Sequence, residues 1–271
     1  AQAVTLGDLI QRVHLRTRPY EAVPGSADEL MQRWQTICRE HFEDGGTSPT
    51  WGRRTSYSAL VRGIVDAFEA LPLRDEPRKP RVGVLGEILV QFHPDANNHI
   101  VEVIESEGCE AVLPGLMWFV HNALTSGDYN WKTFGTEKWK RFLKKGFLAV
   151  LQQYQKPVDA ALGTSQRFEV PTHISRIVEE AQQIVQLGNQ SGEGWYLVGE
   201  MIDMIEEGVP NICVVQPFAC LPNHVTGRGI FREIRRQYPH ANVASIDYDP
   251  GASQVNQLNR ICLLYTSDAA D

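Results

Sequence analysis

From Arg81 onward the chain alternates short apolar runs with polar loops and helix-period segments, and this limits the fold more than any other feature. Residues 81–86, 109–113, 212–216 and 242–246 are too short for buried helices and are rich in Val, Ile and Leu, so they read as buried strands. Helical pattern separates each strand from the next. Strands joined by helices pair in parallel through right-handed crossovers. The pattern therefore predicts four parallel strands between Val82 and Ile246, with helices on both faces.

The helices are read from period and punctuation. Residues 100–104 lead to a Gly108 stop, and residues 115–123 and 137–154 follow. Residues 172–187 have Thr172 as cap, Ile174, Ile177, Val178, Ala181 and Ile184 as the apolar face, and Gly188 as the stop. Residues 195–205, 225–238 and 252–260 complete the series. The fold expected over residues 80–261 is a Rossmann- or flavodoxin-like parallel sheet flanked by helices.

A charged, proline-bearing break at residues 73–80 separates this domain from an N-terminal helical segment. There, residues 4–13 form a short amphipathic run stopped at Arg18-Pro19. Residues 27–42 place Leu30, Trp34, Ile37 and Cys38 on one face, and residues 57–71 do the same with Leu60, Val61, Ile64, Val65 and Phe68. Residues 1–75 are expected to be the helical tail of a preceding module. The chain opens without methionine, and residues 262–271 resemble one reading frame of a transposon-based sequencing adaptor. That tail is expected to be non-native and to pack poorly, and the whole to be a fragment of a longer protein.

With 271 residues, 42% of them hydrophobic, the chain has ample material for a core. A net charge of −7 argues against general nucleic-acid binding, and no apolar run approaches a membrane span. Setting Cys262 aside, cysteines stand singly at 38, 109, 213 and 220, with no Cys-x-x-Cys pair, so a reducing, cytoplasmic setting is expected. Cys38 lies on an apolar stripe and reads as core.

Three loops should share the carboxyl edge of the sheet, where ligands bind in such folds: residues 86–99, 216–229 and 247–253. Each leads into a helix whose N–H groups favour an anion. The second loop presents Cys220, Asn223 and His224 between Pro217 and Pro222, which stiffen it. A thiol there serves chemistry or metal ligation, or is a plain small buried residue. His93, His99 and His224 are candidate metal ligands, but each alone reads first as a surface or hydrogen-bonded histidine. Gly227-Arg228-Gly229 could admit a phosphate, and Asp249-Pro250-Gly251 alone reads as a turn. Lys138, Lys140, Arg141, Lys144 and Lys145, beside Trp139 and Phe142, read as a solvated helix face that could also meet an anionic substrate or partner. Phosphate-loop, Gly-x-Gly-x-x-Gly and His-Glu-x-x-His signatures are absent.

Residues 83–98 (GVLGEILVQFHPDANN), 216–224 (QPFACLPNH) and 246–253 (IDYDPGAS) resemble the 2-hydroxyacyl-CoA dehydratase family. The nearest branch is the long activase-related proteins, which join ATPase activator modules to dehydratase-like modules. The resemblance runs from Leu6 to Ile261 and includes Arg16-Thr17-Arg18-Pro19-Tyr20-Glu21. It implies an anaerobic system in which an ATP-driven activator injects an electron into a cluster-bearing dehydratase, which removes water from a 2-hydroxyacyl-CoA. On this resemblance Cys220 is a ligand of a four-iron, four-sulfur cluster, with Asn223 and His224 beside it and the other ligands outside this sequence. Cys109 and Cys213 read as structural. ATP would bind only in other modules. The expected partners are upstream activator modules or an activator protein, with an acyl-CoA as substrate; neither nucleic acid nor membrane is among them. The alternative is a docking or regulatory module that keeps the fold without the chemistry.

Overall fold

The computed structural model describes residues 1–43, 45, 47–48, 53–54, 56–135, 138–249, 251 and 253–266. They form two compact units. The first comprises Ala1–Pro77, Pro114–Gly127 and Thr136–Pro171, and the second Arg78–Leu113, Asp128–Gly135 and Thr172–Asp271.

The first unit is helical. It contains α1 (Gln2–Thr17), α2 (Ser26–Glu43), α3 (Tyr57–Glu69), the start of α6 (Met117–Phe134), and α7 (Lys138–Leu162). Leu6, Leu9, Ile10 and Val13 recur at helical spacing and meet Trp34, Ile37, Ile64, Phe68 and Leu162 in one core. Cys38 lies in that core as expected, and burial pushes its thiol up to about 11. The Arg16–Glu21 stretch closes a turn: the Glu21 carboxylate accepts from Gly25 N at 2.6 Å and Ala27 N at 2.7 Å, capping α2. Asp8 does the same for α6, accepting from Leu116 N at 2.9 Å and Met117 N at 2.8 Å.

The second unit holds the expected sheet. β1 (Arg81–Gly86), β2 (Glu110–Val112), β3 (Asn211–Gln216) and β4 (Asn242–Asp247) pair in parallel, in the order β2-β1-β3-β4. Val82 lies opposite Asn211, and Asn211 opposite Asn242. The chain steps from β1 outward to β2 and later from β3 outward to β4, so its direction reverses between β1 and β3. That reversal is the topological switch point of a Rossmann-like sheet, where a crevice opens at the carboxyl ends of the strands.

Helices α4 (Ile88–Phe92) and α5 (Ile100–Ser106) join β1 to β2. α8 (Ile174–Ala181) and α9 (Trp195–Glu206) precede β3, α10 (Phe231–Gln237) joins β3 to β4, and α11 (Gln254–Thr266) follows β4. Leu85, Leu197, Met201, Ile202, Ile212, Val214, Ile234 and Val243 form the core. Gly83 lets α9 lie close, since a Cβ there would stand 2.6 Å from Met204 Sδ. Cys213 is fully buried within β3 and Cys109 is buried just before β2, so both are core residues.

Three readings need correction. α8 stops at Ala181, short of Leu187, and its cap is His173, whose ring nitrogen accepts from Ser175 N; Thr172, one residue earlier, donates its hydroxyl to Glu207 Oε1 at 2.8 Å. The single helix expected over residues 225–238 is three pieces: a π turn at Asn223–Gly227, a 3-10 turn at Arg228–Ile230, then α10. Two glycines within three residues weaken the regular ladder there. The tail is not uniformly loose either. Residues 262–266 continue α11, and Leu264, three positions after buried Ile261, is only 1% exposed. Residues 267–271 lie outside the described residues.

Candidate functional site

β1 ends at Gly86 with φ +143, and a Cβ there would lie 1.9 Å from Val215 O. Only glycine lets the chain turn so close against β3. Glu87 follows, its N–H donating to Val215 O at 2.9 Å and its Oε2 accepting from Val90 N at 3.0 Å to cap α4. A loop before α9 meets the same edge of the sheet. Glu193 stands between Gly192 (φ +59) and Gly194 (φ +51), and its Oε1 accepts from Ile88 N at 3.2 Å.

Asn223 joins the two carboxylate residues. It is fully buried, and in the amide orientation that satisfies both ends its nitrogen donates to Glu193 Oε2 at 2.8 Å while its oxygen accepts from Glu87 N at 2.9 Å. The loop after β3 is thus locked to the loop after β1 through a buried polar junction. A second fastening comes from the β4 side. Phe218 N donates to Asp249 Oδ1 at 3.0 Å and Oδ2 at 3.1 Å, and Tyr248 N donates to Gln216 O at 2.8 Å. The Gln216 amide, fully buried, donates to Asp247 Oδ1 at 2.9 Å and Ser245 Oγ at 3.2 Å.

Between these fastenings the loop bends. Ala219 takes φ +61, Cys220 N donates to Pro217 O at 3.2 Å, and His224 N donates to Cys220 O at 3.0 Å. The Cys220 thiol is half-buried. Burial pushes its pKa up, Glu193 and Glu87 add to that, and a hydrogen bond from the Asn223 backbone N–H partly offsets it. A thiol with a raised pKa is a poor nucleophile and must lose its proton before it can ligate a metal. Burial also raises the Glu193 pKa, against the stabilising N–H of Ile88.

The structure gathers Cys220, Asn223 and His224 on one loop, with different tasks. The backbone of Asn223 touches the thiol while its side chain serves the junction. The His224 ring turns to Gln216, its Nε2 lying 3.4 Å from the Gln216 amide nitrogen, and to Phe218 edge-on at 6.5 Å. His93 is exposed, and His99 sits in a left-handed turn (φ +56) near Asp95 and Glu102. Among the described residues no group of three or more His, Cys, Asp or Glu is arranged to hold a metal ion.

The loops differ from the sequence reading in one respect. The N–H groups expected to greet an anion are already taken by protein carboxylates: Val90 N by Glu87, Ile88 N by Glu193, Phe218 N by Asp249. Gly227, a candidate phosphate neighbour, packs instead on α9, where a Cβ would meet Leu197 Cδ2 at 3.1 Å. Pro250, in the expected turn after Asp249, lies outside the described residues. Glu193 was not among the residues singled out by sequence, although a carboxylate between two glycines was a visible signal. Around the junction the large apolar side chains Leu89, Phe218, Leu221 and Val225 are exposed, at 60, 72, 70 and 54%.

Comparison of the chain with protein-family models, curated proteins and solved structures gives no match.

Proposed function

We propose that this chain is a piece of an iron–sulfur protein of the 2-hydroxyacyl-CoA dehydratase and activase system. It would support ATP-driven, low-potential electron transfer for acyl-CoA dehydration or reduction, in a reducing cytoplasm. The observation that carries this reading is the seat of Cys220: a half-buried thiol on a doubly fastened loop at the switch point of the sheet. A cluster ligand must hold its sulfur in place while leaving it reachable, and N–H groups near that sulfur tune the cluster's potential. The Asn223 N–H is in position to do so.

The donors present fit one corner of a cluster and no more. Cys109 and Cys213 are enclosed in the sheet, and no metal-binding group of three or more is arranged among the described residues. Cys220 would therefore supply one ligand, with the rest and the ATP site in other parts of the system, and an acyl-CoA as substrate of the assembled enzyme. The second reading, a docking or regulatory module without the chemistry, is favoured by the apolar rim of Leu89, Phe218, Leu221 and Val225 around a thiol of raised pKa.

Anaerobic purification of the complete gene product, with iron and sulfide analysis, tests the choice. The cluster reading expects Cys220→Ser to lower iron content and abolish the electron paramagnetic resonance signal of the reduced protein. Cys213→Ser should cost stability and keep the iron. Absence of iron, or unchanged iron and spectra in Cys220→Ser, would overturn the cluster role and leave the docking reading.

A further inference from the structure

α7 inverts the usual logic of a helix on a folded unit, which turns its apolar stripe inward and its charges out. Trp139, Phe142, Leu143, Phe147 and Val150 recur at spacings of three, one, four and three, on one stripe. They are 70, 69, 54, 53 and 49% exposed. The Trp139 and Phe142 rings stack on each other, centroids 6.0 Å apart and 23° from parallel. The side turned toward α6 within this unit is basic instead. Lys144 Nζ donates to Ser126 Oγ at 2.9 Å, and the missing side chain of Gly127 makes room for the Lys144 stem and the Arg141 backbone. Only from Leu151 onward does the helix bury apolar residues: Leu151, Val158, Ala161 and Leu162.

The charge on this part of the helix is mostly of one sign. Five of the eight residues Lys138 to Lys145 are basic, and between Glu137, which precedes them, and Asp159 no other Asp or Glu occurs, in a chain whose net charge is −7. At about 100° per residue, Lys138 and Lys145 border one edge of the stripe and Lys140 the other. We propose that the first half of α7 lies on an anionic lipid bilayer, its apolar stripe at the acyl boundary and these lysines among the headgroups. Trp, Phe and Leu opposite a lysine-rich face is the composition of interfacial helices, whose long cationic stems reach up to the phosphates. Protein interfaces are enriched in Arg and depleted in Lys, whereas four of the five cations here are Lys. Two copies packed stripe to stripe would bring like-charged rims together.

The sequence reading set membranes aside because no apolar run reaches a span. Among the described residues no helix is long and apolar enough to cross a membrane. Lying in the interface requires no such helix, and the proposal is independent of the role of Cys220.

Vesicle sedimentation tests it. The chain should sediment with vesicles of equal parts phosphatidylcholine and phosphatidylserine, release as salt rises, and stay in solution with phosphatidylcholine alone. Trp139→Ala/Phe142→Ala should abolish sedimentation. Lys138→Gln/Lys140→Gln/Lys145→Gln should weaken it by on the order of a hundredfold, roughly fivefold for each lysine near an anionic surface. All five side chains are exposed, so circular dichroism should report unchanged folding. Failure to bind the anionic vesicles, or equal binding to both kinds, overturns the proposal. Self-association lost in Trp139→Ala/Phe142→Ala, without vesicle binding, would overturn it and assign the stripe to a second copy. Neither binding nor self-association would overturn it in favour of an acid-rimmed groove on another protein.

Discussion

The loop after β3 and the first half of α7 both present large apolar side chains to solvent, and they are built in opposite ways. In the loop the polar groups are inside. Asn223 and Gln216 are fully buried, Glu193 nearly so, and each reaches another strand end or loop. Phe218, Leu221 and Val225 stand where that junction leaves them. In α7 the backbone satisfies itself, and the exposed stripe follows from which side of the helix meets α6. The loop's shape therefore depends on a few desolvated hydrogen bonds, each costly to break. The stripe depends on none, and its exposure is a matter of surface.

The largest expected effect breaks the first of these. Asn223→Ala would leave the Glu193 carboxylate without its amide donor in a buried site and untie the β1 and β3 loops. The expected loss is about 3 kcal/mol in urea unfolding, in the range seen when a buried charge loses its hydrogen-bond partner. A loss below about 0.5 kcal/mol, ordinary for a surface change, would mean that the junction does not hold the loop.

A second carboxylate in the same unit sharpens the point. Glu193 has an amide and a backbone N–H; Glu200 is buried on α9, and burial pushes its pKa up to about 8, with Asp203 and Glu193 adding to the shift. Burial raises Asp203 similarly, to about 7, with Glu207 adding to it. In the folded chain these acids hold protons that the unfolded chain has released above its ordinary carboxylate range. Stability is therefore full at low pH and falls as pH rises through about 7 to 8. Glu200→Gln, neutral at every pH, should flatten that fall and gain roughly 2 kcal/mol at pH 8, discounted for the cost of burying the new amide. Unfolding curves of the two proteins from pH 5 to 8 decide it. Parallel pH dependences would show that Glu200 is ionised in the folded chain.

What could be read from sequence follows the range of the forces involved. The strands were legible because four short apolar runs, each followed by a polar loop, leave little alternative to a buried parallel sheet. The loop with Cys220, Asn223 and His224 was legible for the same reason, since sheet topology alone puts it at the carboxyl edge. Glu193 was not, because its partners Ile88 and Asn223 lie 105 and 30 residues away and only the fold unites them. The cap of α8 is His173, one residue after the Thr172 that the pattern suggested, and the Thr172 hydroxyl instead donates to Glu207 just past the end of α9. In α7 the sequence reading took the basic run beside Trp139 and Phe142 as a solvated face and did not pick out the apolar stripe. Which way it faces depends on Gly127 and Ser126 of another helix, a tertiary fact that periodicity does not carry.

The smallest expected effect tests whether both sets of exposed side chains are surface in the energetic sense. Phe218 is 72% and Trp139 70% exposed, so replacing either removes little area that folding had taken from water. Phe218→Ser keeps the backbone N–H that Asp249 holds, and Trp139→Ser keeps the helix ladder at the modest propensity cost of serine. Each should change unfolding free energy by no more than about 0.5 kcal/mol. A loss of 2 kcal/mol or more at Phe218 would place that ring within the junction, and the contrast between the two regions would fail there. The same loss at Trp139 would mean that its stripe is covered within the folded chain, leaving no face for a bilayer to meet.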